Sequence, residues 1–258
     1  MRHGLMLALT GLVLVAGCAT TPTDGGGDDA GAAALRVGTS ATAAPLAFKE
    51  GGRLAGAEVD FAKAMGDALG RPVKVRNMAF DQLIPALERG EIDIIMAGMS
   101  VTGERARRVA FTEPYLRTGQ IAAVAAGRAG EYVMVRAIVL RAKSVACERG
   151  TTAELIAREQ MRHATCRTYA SLDAAASAVA RGEADVLLGD GPSVLWMVRQ
   201  RPGELAVPDY SPLTEESLAW AVRREDTALR EQVNTVLATW QRDQTLQRVL
   251  DKWAARLQ

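Results

Sequence analysis

The chain has 258 residues, and its 31 Lys and Arg nearly balance 30 Asp and Glu for a net charge of +1. That balance, with no long basic run, excludes the electrostatic footprint of a nucleic-acid binder. Only two histidines occur, His3 and His163, so no metal site is expected, and nothing in the pattern calls for a cofactor.

Met1-Arg2-His3-Gly4 is a short basic start, and the apolar run from Leu5 to Val15 is too short to span a bilayer comfortably. It ends in Val15-Ala16-Gly17-Cys18, which looks like a bacterial lipobox. On that reading residues 1–17 are a signal peptide, cut before Cys18, and the cysteine is lipidated. The alternative is an ordinary signal peptide with a chance cysteine. Acyl chains on Cys18 hold a protein on a membrane outside the cytoplasm without a spanning helix. Residues 18–34 include Thr21-Pro22-Thr23, Gly25-Gly26-Gly27 and Asp28-Asp29 and read as a flexible tether. The chain from Leu35 onward is long enough for two lobes of about 100 residues each.

From Leu35 the pattern predicts a strand over 35–38, a helix over 59–69, a strand over 73–76, a helix over 82–89 and a strand over 92–98. Gly70 and Pro72 stop the first helix, and Pro85 falls near the start of the second, where a missing N–H is best tolerated. The order then repeats: strand 145–148, helix 153–161, strand 165–169, helix 172–181, strand 185–189. Residues 132–140 are apolar without a period and receive no assignment. Residues 227–257 are mostly helical, with Leu229, Val233, Leu237 and Trp240, then Leu246, Val249, Leu250 and Trp253, marking buried faces interrupted near 241–244.

A motif recurs with the elements. Arg89-Gly90-Glu91-Ile92-Asp93 returns as Arg181-Gly182-Glu183-Ala184-Asp185, each copy between a helical pattern and an apolar run. Two similar α/β lobes, each with a parallel sheet and right-handed crossovers, are the expected architecture. Beyond Cys18, Cys147 and Cys166 lie in short strand-like runs of the second half. An exported chain meets an oxidising compartment, so they either pair or remain buried thiols.

The most specific segment is Gly98-Met99-Ser100-Val101-Thr102-Gly103-Glu104-Arg105, continued by Phe111-Thr112-Glu113-Pro114-Tyr115. With residues 80–87 before it, it resembles the family 3 extracellular solute-binding proteins, the polar amino acid receptors of ABC importers. The resemblance covers nearly all of 35–258. It implies a two-lobed periplasmic-binding-protein-like fold of type II, each lobe a βαβαβ-based sheet flanked by helices. Lobe 1 would hold 35–116 and 220–258, and lobe 2 would hold 117–219, with hinge strands at 115–119 and 216–220. It further implies a monomer that binds an amino acid and presents the closed form to a membrane permease.

The residues fit a zwitterion. Arg105 has a planar guanidinium able to hold a carboxylate through two parallel hydrogen bonds, although a solvated helix arginine beside Arg107 and Arg108 is the plainer reading. By the resemblance Arg105 grips the α-carboxylate, Ser100 assists with its hydroxyl, and the backbone at Gly98 approaches the ligand. Gly150-Thr151-Thr152 resembles the turn of the second lobe that meets the same carboxylate from a helix N-terminus; an ordinary N-cap is compatible with it. Asp190 stands where relatives bind the α-ammonium, and it is also a plausible N-cap before Gly191-Pro192. Asp185 reads as structural. Phe80 matches the aromatic that packs on the ligand, or else a core phenylalanine.

Two departures bear on the ligand. Ser40 takes the place where polar amino acid receptors often carry an aspartate, and Ala43 the place of a second aromatic. Ser40 stays in the expected site, but without that acid. Glu58 is expected to be solvated, with a contact to a basic side chain as the alternative. Cyclohexadienyl dehydratases share the fold and are the competing enzyme class; their glutamate three residues after the aspartate is Ser193 here, which leaves general-acid chemistry without its candidate. An orphan binding module that feeds a signalling receptor is the third class.

Overall fold

The computed structural model describes Met1 and residues 32–257, so the Cys18 site, the rest of the leader and most of the tether lie outside the described residues. Strand β1 (Leu35–Thr39) leads to a hairpin of β2 (Phe48–Glu50) and β3 (Arg53–Ala55), then helix α1 (Ala57–Leu69), β4 (Val73–Asn77), α2 (Leu83–Glu88), β5 (Ile94–Ile95), the single turn α3 (Gly103–Ala106) and β6 (Val109–Phe111). After β7 (Leu116–Thr118) come β8 (Gln120–Ala125), α4 (Val135–Arg141), β9 (Ser144–Glu148), α5 (Thr152–Gln160), β10 (Thr165–Tyr169), α6 (Leu172–Ala180), β11 (Val186–Asp190), α7 (Gly191–Gln200) and β12 (Leu205–Ala206). The chain returns through β13 (Glu216–Leu218) to β14 (Ala221–Arg223), α8 (Thr227–Arg242) and α9 (Thr245–Ala254).

Local chemistry accounts for the boundaries. Helix α1 ends where Gly70 adopts φ 62°, with Gly70 and Arg71 donating back to the carbonyls of Asp67 and Gly66. The break between α8 and α9 falls at Gln244, a left-handed residue with φ 63°. Strand β5 keeps only two residues of the expected apolar run, because the chain turns away at Gly98, φ 65°. The apolar stretch left unassigned becomes α4, with Ile138 as its buried anchor.

Two five-stranded sheets carry the fold, in the orders β4-β1-β5-β14-β6 and β10-β9-β11-β8-β12. They match position for position. In each, three strands run parallel and the fourth is antiparallel to the third. The expected wholly parallel sheets are therefore mixed, since β14 and β8 are reached by connections that helical periodicity does not reveal. Between the sheets the chain crosses through β7 and returns through β13, and these two pair antiparallel. Each sheet is covered on both faces. On the first, Phe61 packs with Tyr115, Trp220 and Trp240 at ring separations of 5.5–6.0 Å, while Leu83, Leu87 and Ile92 fill the opposite face.

The repeated motif is scaffolding. Gly90 and Gly182 take φ 69° and 74°, ending α2 and α6. Asp93 accepts from the Arg36 N–H at 2.9 Å, and Asp185 accepts from the Ser144 N–H at 3.0 Å. Each aspartate thus ties the entry of a third strand to the start of the first. An arginine closes each knot: Arg36 on Asp93 and Arg128 on Asp185.

Cys147 and Cys166 lie on the neighbouring strands β9 and β10 but do not pair. Both are free thiols, with Sγ atoms 3.9 Å apart. The register sets Cys166 opposite Val145, two residues short of Cys147. Strands about 4.8 Å apart with a rise of about 3.3 Å per residue place Cα atoms at a two-residue offset about 8 Å apart, beyond the roughly 4.4–6.8 Å that a disulfide spans.

Candidate functional site

The carboxyl ends of β1 and β5 face those of β9 and β11, the ends at which open α/β sheets bind ligands. Two hydrogen bonds cross from one side to the other. Arg105 Nη2 donates to the Gly150 carbonyl at 3.0 Å, and Thr42 Oγ1 donates to Glu148 Oε1 at 2.7 Å. Gly150 has φ +77°, and a Cβ there would lie 2.9 Å from Asp81 Cβ, so a glycine lets the two sides meet.

Arg105 is the centre of the first side. Thr102 caps α3 by accepting the Arg105 N–H at 3.2 Å, which fixes the start of the side chain. Nη1 donates to the Ser100 carbonyl at 2.8 Å, and the guanidinium lies over the Phe80 ring, 5.3 Å from its centroid. Burial lowers the Arg105 pKa, while the charges of Asp190 and Glu216 oppose that shift. Among the described residues its guanidinium bonds carbonyl oxygens and no carboxylate.

The second side is acidic. Gln120, fully buried in β8, donates through Nε2 to Asp190 Oδ1 at 2.9 Å and to Thr152 Oγ1 at 3.0 Å. Thr152 in turn donates to Glu216 Oε2 at 2.9 Å, and Thr214 donates to Glu216 Oε1 at 2.9 Å. Burial pushes the Asp190 carboxyl up to about 7, with Glu216 adding to the shift and Arg105 and Gln120 opposing it. Asp190 stands at the N-cap position of α7 but makes no side-chain cap bond. Thr151 likewise caps nothing; its hydroxyl donates to the Glu148 carbonyl at 2.7 Å.

A cavity of about 220 Å³ opens between the two sides. Phe80, Arg105, Thr151 and Thr152 line it, together with Asp81, Gly150 and Met99. Of the expected residues, Ser40, Gly98, Ser100 and Asp190 do not line it. Ser40 and Ser100 are buried. The Ser40 hydroxyl lies 2.9 Å from that of Thr42, and Ser100 contributes the carbonyl that orients Arg105.

Two expectations need correction here. The Gly98 N–H does not face the cleft: it donates to Glu58 Oε1 at 2.6 Å, and a Cβ on Gly98 would meet Leu46 at 2.7 Å. Glu58 is not solvated but 1% exposed, and it also accepts from the Tyr115 hydroxyl at 2.5 Å and from Trp220 Nε1 at 2.9 Å. Burial raises its pKa, and these three donors work against the shift. Glu58 and Gly98 together fix the turn after β5. Sequence reasoning also missed Gln120, Glu148 and Glu216. A lone polar residue opening the apolar run Ile121-Ala122-Ala123-Val124 and an acid closing Val145-Ala146-Cys147 were the available signals.

Comparison with known proteins agrees with this geometry. The model of the bacterial extracellular solute-binding proteins, family 3, matches residues 35–256. The chain is 30% identical over 225 residues to the putative ABC transporter arginine-binding protein 2 of Escherichia coli strain K12, covering 85% of this chain and 90% of the relative. It is 29% identical over 220 residues to the L-cystine-binding protein TcyJ of the same strain, with 85% and 82% covered. Among solved structures, an ancestral arginine-binding protein bound to arginine superposes with a TM-score of 0.78 at 31% identity, covering 85% of this chain and 97% of the other. The ancestral amino acid-binding protein AncCDT-1, a precursor of cyclohexadienyl dehydratase, superposes with a TM-score of 0.79 at 33% identity, covering 85% and 95%. With two mixed sheets joined by a strand pair and a polar cleft at their carboxyl ends, the chain belongs to the bacterial extracellular solute-binding proteins, family 3.

Proposed function

We propose that this protein is the extracytoplasmic receptor of an ABC importer and closes two lobes, residues 35–116 with 220–258 and residues 117–219, around one amino acid. The α-carboxylate meets Arg105 from the first lobe and the α5 N-terminus at Thr151 and Thr152 from the second. The α-ammonium meets Asp190, with Glu216 behind it. Phe80, under the guanidinium, supplies an apolar wall, and Ser100 holds Arg105 in place through its carbonyl. The pairing of an arginine free of carboxylates with an enclosed Asp190 carries this reading, because a zwitterion satisfies both at once. A ligand that touches both sides favours the closed form over the open one, and the closed shape is what a permease recognises.

The reading predicts that one class of free amino acids raises the melting temperature of the mature protein by several degrees, as ligand well above its Kd does. No shift with any common amino acid would overturn it. The same protein is expected not to turn over prephenate or arogenate, since Ser193 offers no acid three residues after Asp190.

Lipid anchoring through Cys18 belongs to the proposal, with the tether giving a monomeric receptor reach from the membrane surface. Cys18→Ala is expected to move the protein from the membrane fraction to the soluble extracytoplasmic fraction. Unchanged membrane association of that variant would rule out the anchor.

A further inference from the structure

Glu148 closes β9 and is 5% exposed, yet among the described residues its carboxylate has no cation beside it. Its hydrogen-bond partners among those residues are the Leu172 N–H and the Thr42 hydroxyl, which is in turn 2.9 Å from Ser40 Oγ. The hydrogen-bonded chain Ser40–Thr42–Glu148 sets this carboxylate against the loop that follows β1, across the cleft from its own strand. The surroundings add negative charge, since Asp81 and Asp190 both lie within electrostatic range of Glu148.

The charge count decides what this part of the cleft can hold. Among the described residues Arg105 interacts with Asp190, Glu216 and its own-turn neighbour Glu104, and no cation acts on Glu148. A neutral zwitterion supplies one carboxylate for Arg105 and one ammonium for Asp190 and Glu216. It leaves Glu148 buried with neutral hydrogen-bond donors but no counter-charge, which is costly for an ionised carboxylate. A second positive charge on the ligand removes that cost. We propose that Glu148 reads the ligand side chain and restricts the site to amino acids with a cationic side chain, a specificity role that rests on the amino acid reading above.

The test is Glu148→Gln, which keeps an oxygen able to accept from Thr42 and removes only the charge. Calorimetric titration of parent and variant with arginine, lysine and glutamine separates the outcomes. The expected result is a parent that prefers arginine or lysine to glutamine by at least about tenfold. The variant should lose about tenfold or more for the cationic ligands, as loss of a charged hydrogen-bond partner does, and bind glutamine no worse than the parent. A variant that binds arginine and lysine as the parent does would overturn the assignment, as would a parent that prefers glutamine; the amino acid reading survives either result. A parent that binds no amino acid would overturn both.

Discussion

Replacing Arg105 with alanine is expected to weaken amino acid binding by about thirtyfold or more while leaving the fold intact. Truncating one partner of an enclosed, hydrogen-bonded charge pair costs about 2–5 kcal/mol, and each 1.4 kcal/mol is about a factor of ten. The guanidinium is already held in place, by the Ser100 carbonyl at 2.8 Å and by the Phe80 ring beneath it. Little entropy is left to lose when a carboxylate arrives, so nearly all of the interaction reaches the binding constant. Fold integrity is a separate matter. Arg105 sits on a single helical turn, and its backbone is fixed by Thr102 rather than by its own side chain. Calorimetric titration measures the binding, and ligand-free thermal unfolding checks the fold. Arg105→Lys should recover only part of the affinity, because an ammonium keeps the charge without the planar fork. An alanine variant that binds like the parent would exclude Arg105 as the carboxylate anchor.

The second large effect is on pH. Asp190 is held up at about 7 chiefly by burial, and the nearby Glu216 charge adds to this. An ammonium placed against Asp190 favours the ionised form, so its pKa falls on binding. Ligand therefore binds the deprotonated protein more tightly. Affinity should be level above pH 7 and fall below it, approaching tenfold per pH unit, with proton release on binding near pH 6. Glu148, also raised to about 7 by burial, titrates in the same window and steepens the fall if a cation meets it.

Stability of the ligand-free protein should move the opposite way. Both carboxyls bind protons more tightly folded than unfolded, so as pH falls from 7 toward 4 their contribution favours the folded state. Asp190→Asn should weaken binding at pH 8 and leave only the shallower dependence due to Glu148. Affinity that stays constant from pH 8 to pH 6 would contradict the Asp190 role.

What could be read in advance was whatever local chemistry determines. Gly70 ends α1, the interruption before Thr245 separates the last two helices, and the two Arg-Gly-Glu-x-Asp copies mark equivalent turns in equivalent sheets. Arg105, Phe80, Thr151 and Thr152 were named from short motifs and come together on one cavity. The parts that escaped depend on distant partners. Nothing near Glu58 announces that Tyr115 and Trp220 will enclose it. Gln120 acquires its meaning only when β8 lies beside β11, and Glu148 only when the opposite lobe brings Thr42 to it. The same applies to β14, whose three residues, Ala-Val-Arg, carry no sign that they sit inside a sheet formed mostly by the start of the chain.

That position of β14 governs the order in which the chain can fold. Every strand of the second sheet lies between Gln120 and Ala206, so this sheet can be completed from one uninterrupted stretch. The first sheet cannot. Among the described residues β6 pairs only with β14, and Trp220, α8 and α9 complete the covering layer that α1 begins on one face of the sheet. Until residues beyond Arg223 are available, β1, β4 and β5 remain a partial sheet with α1 alone on one of its faces. Long-range closure of this kind is slow, because the loop entropy is lost before the contacts form. The half of the chain that is made first therefore cannot finish its sheet until the segment from Ala221 onward has followed it.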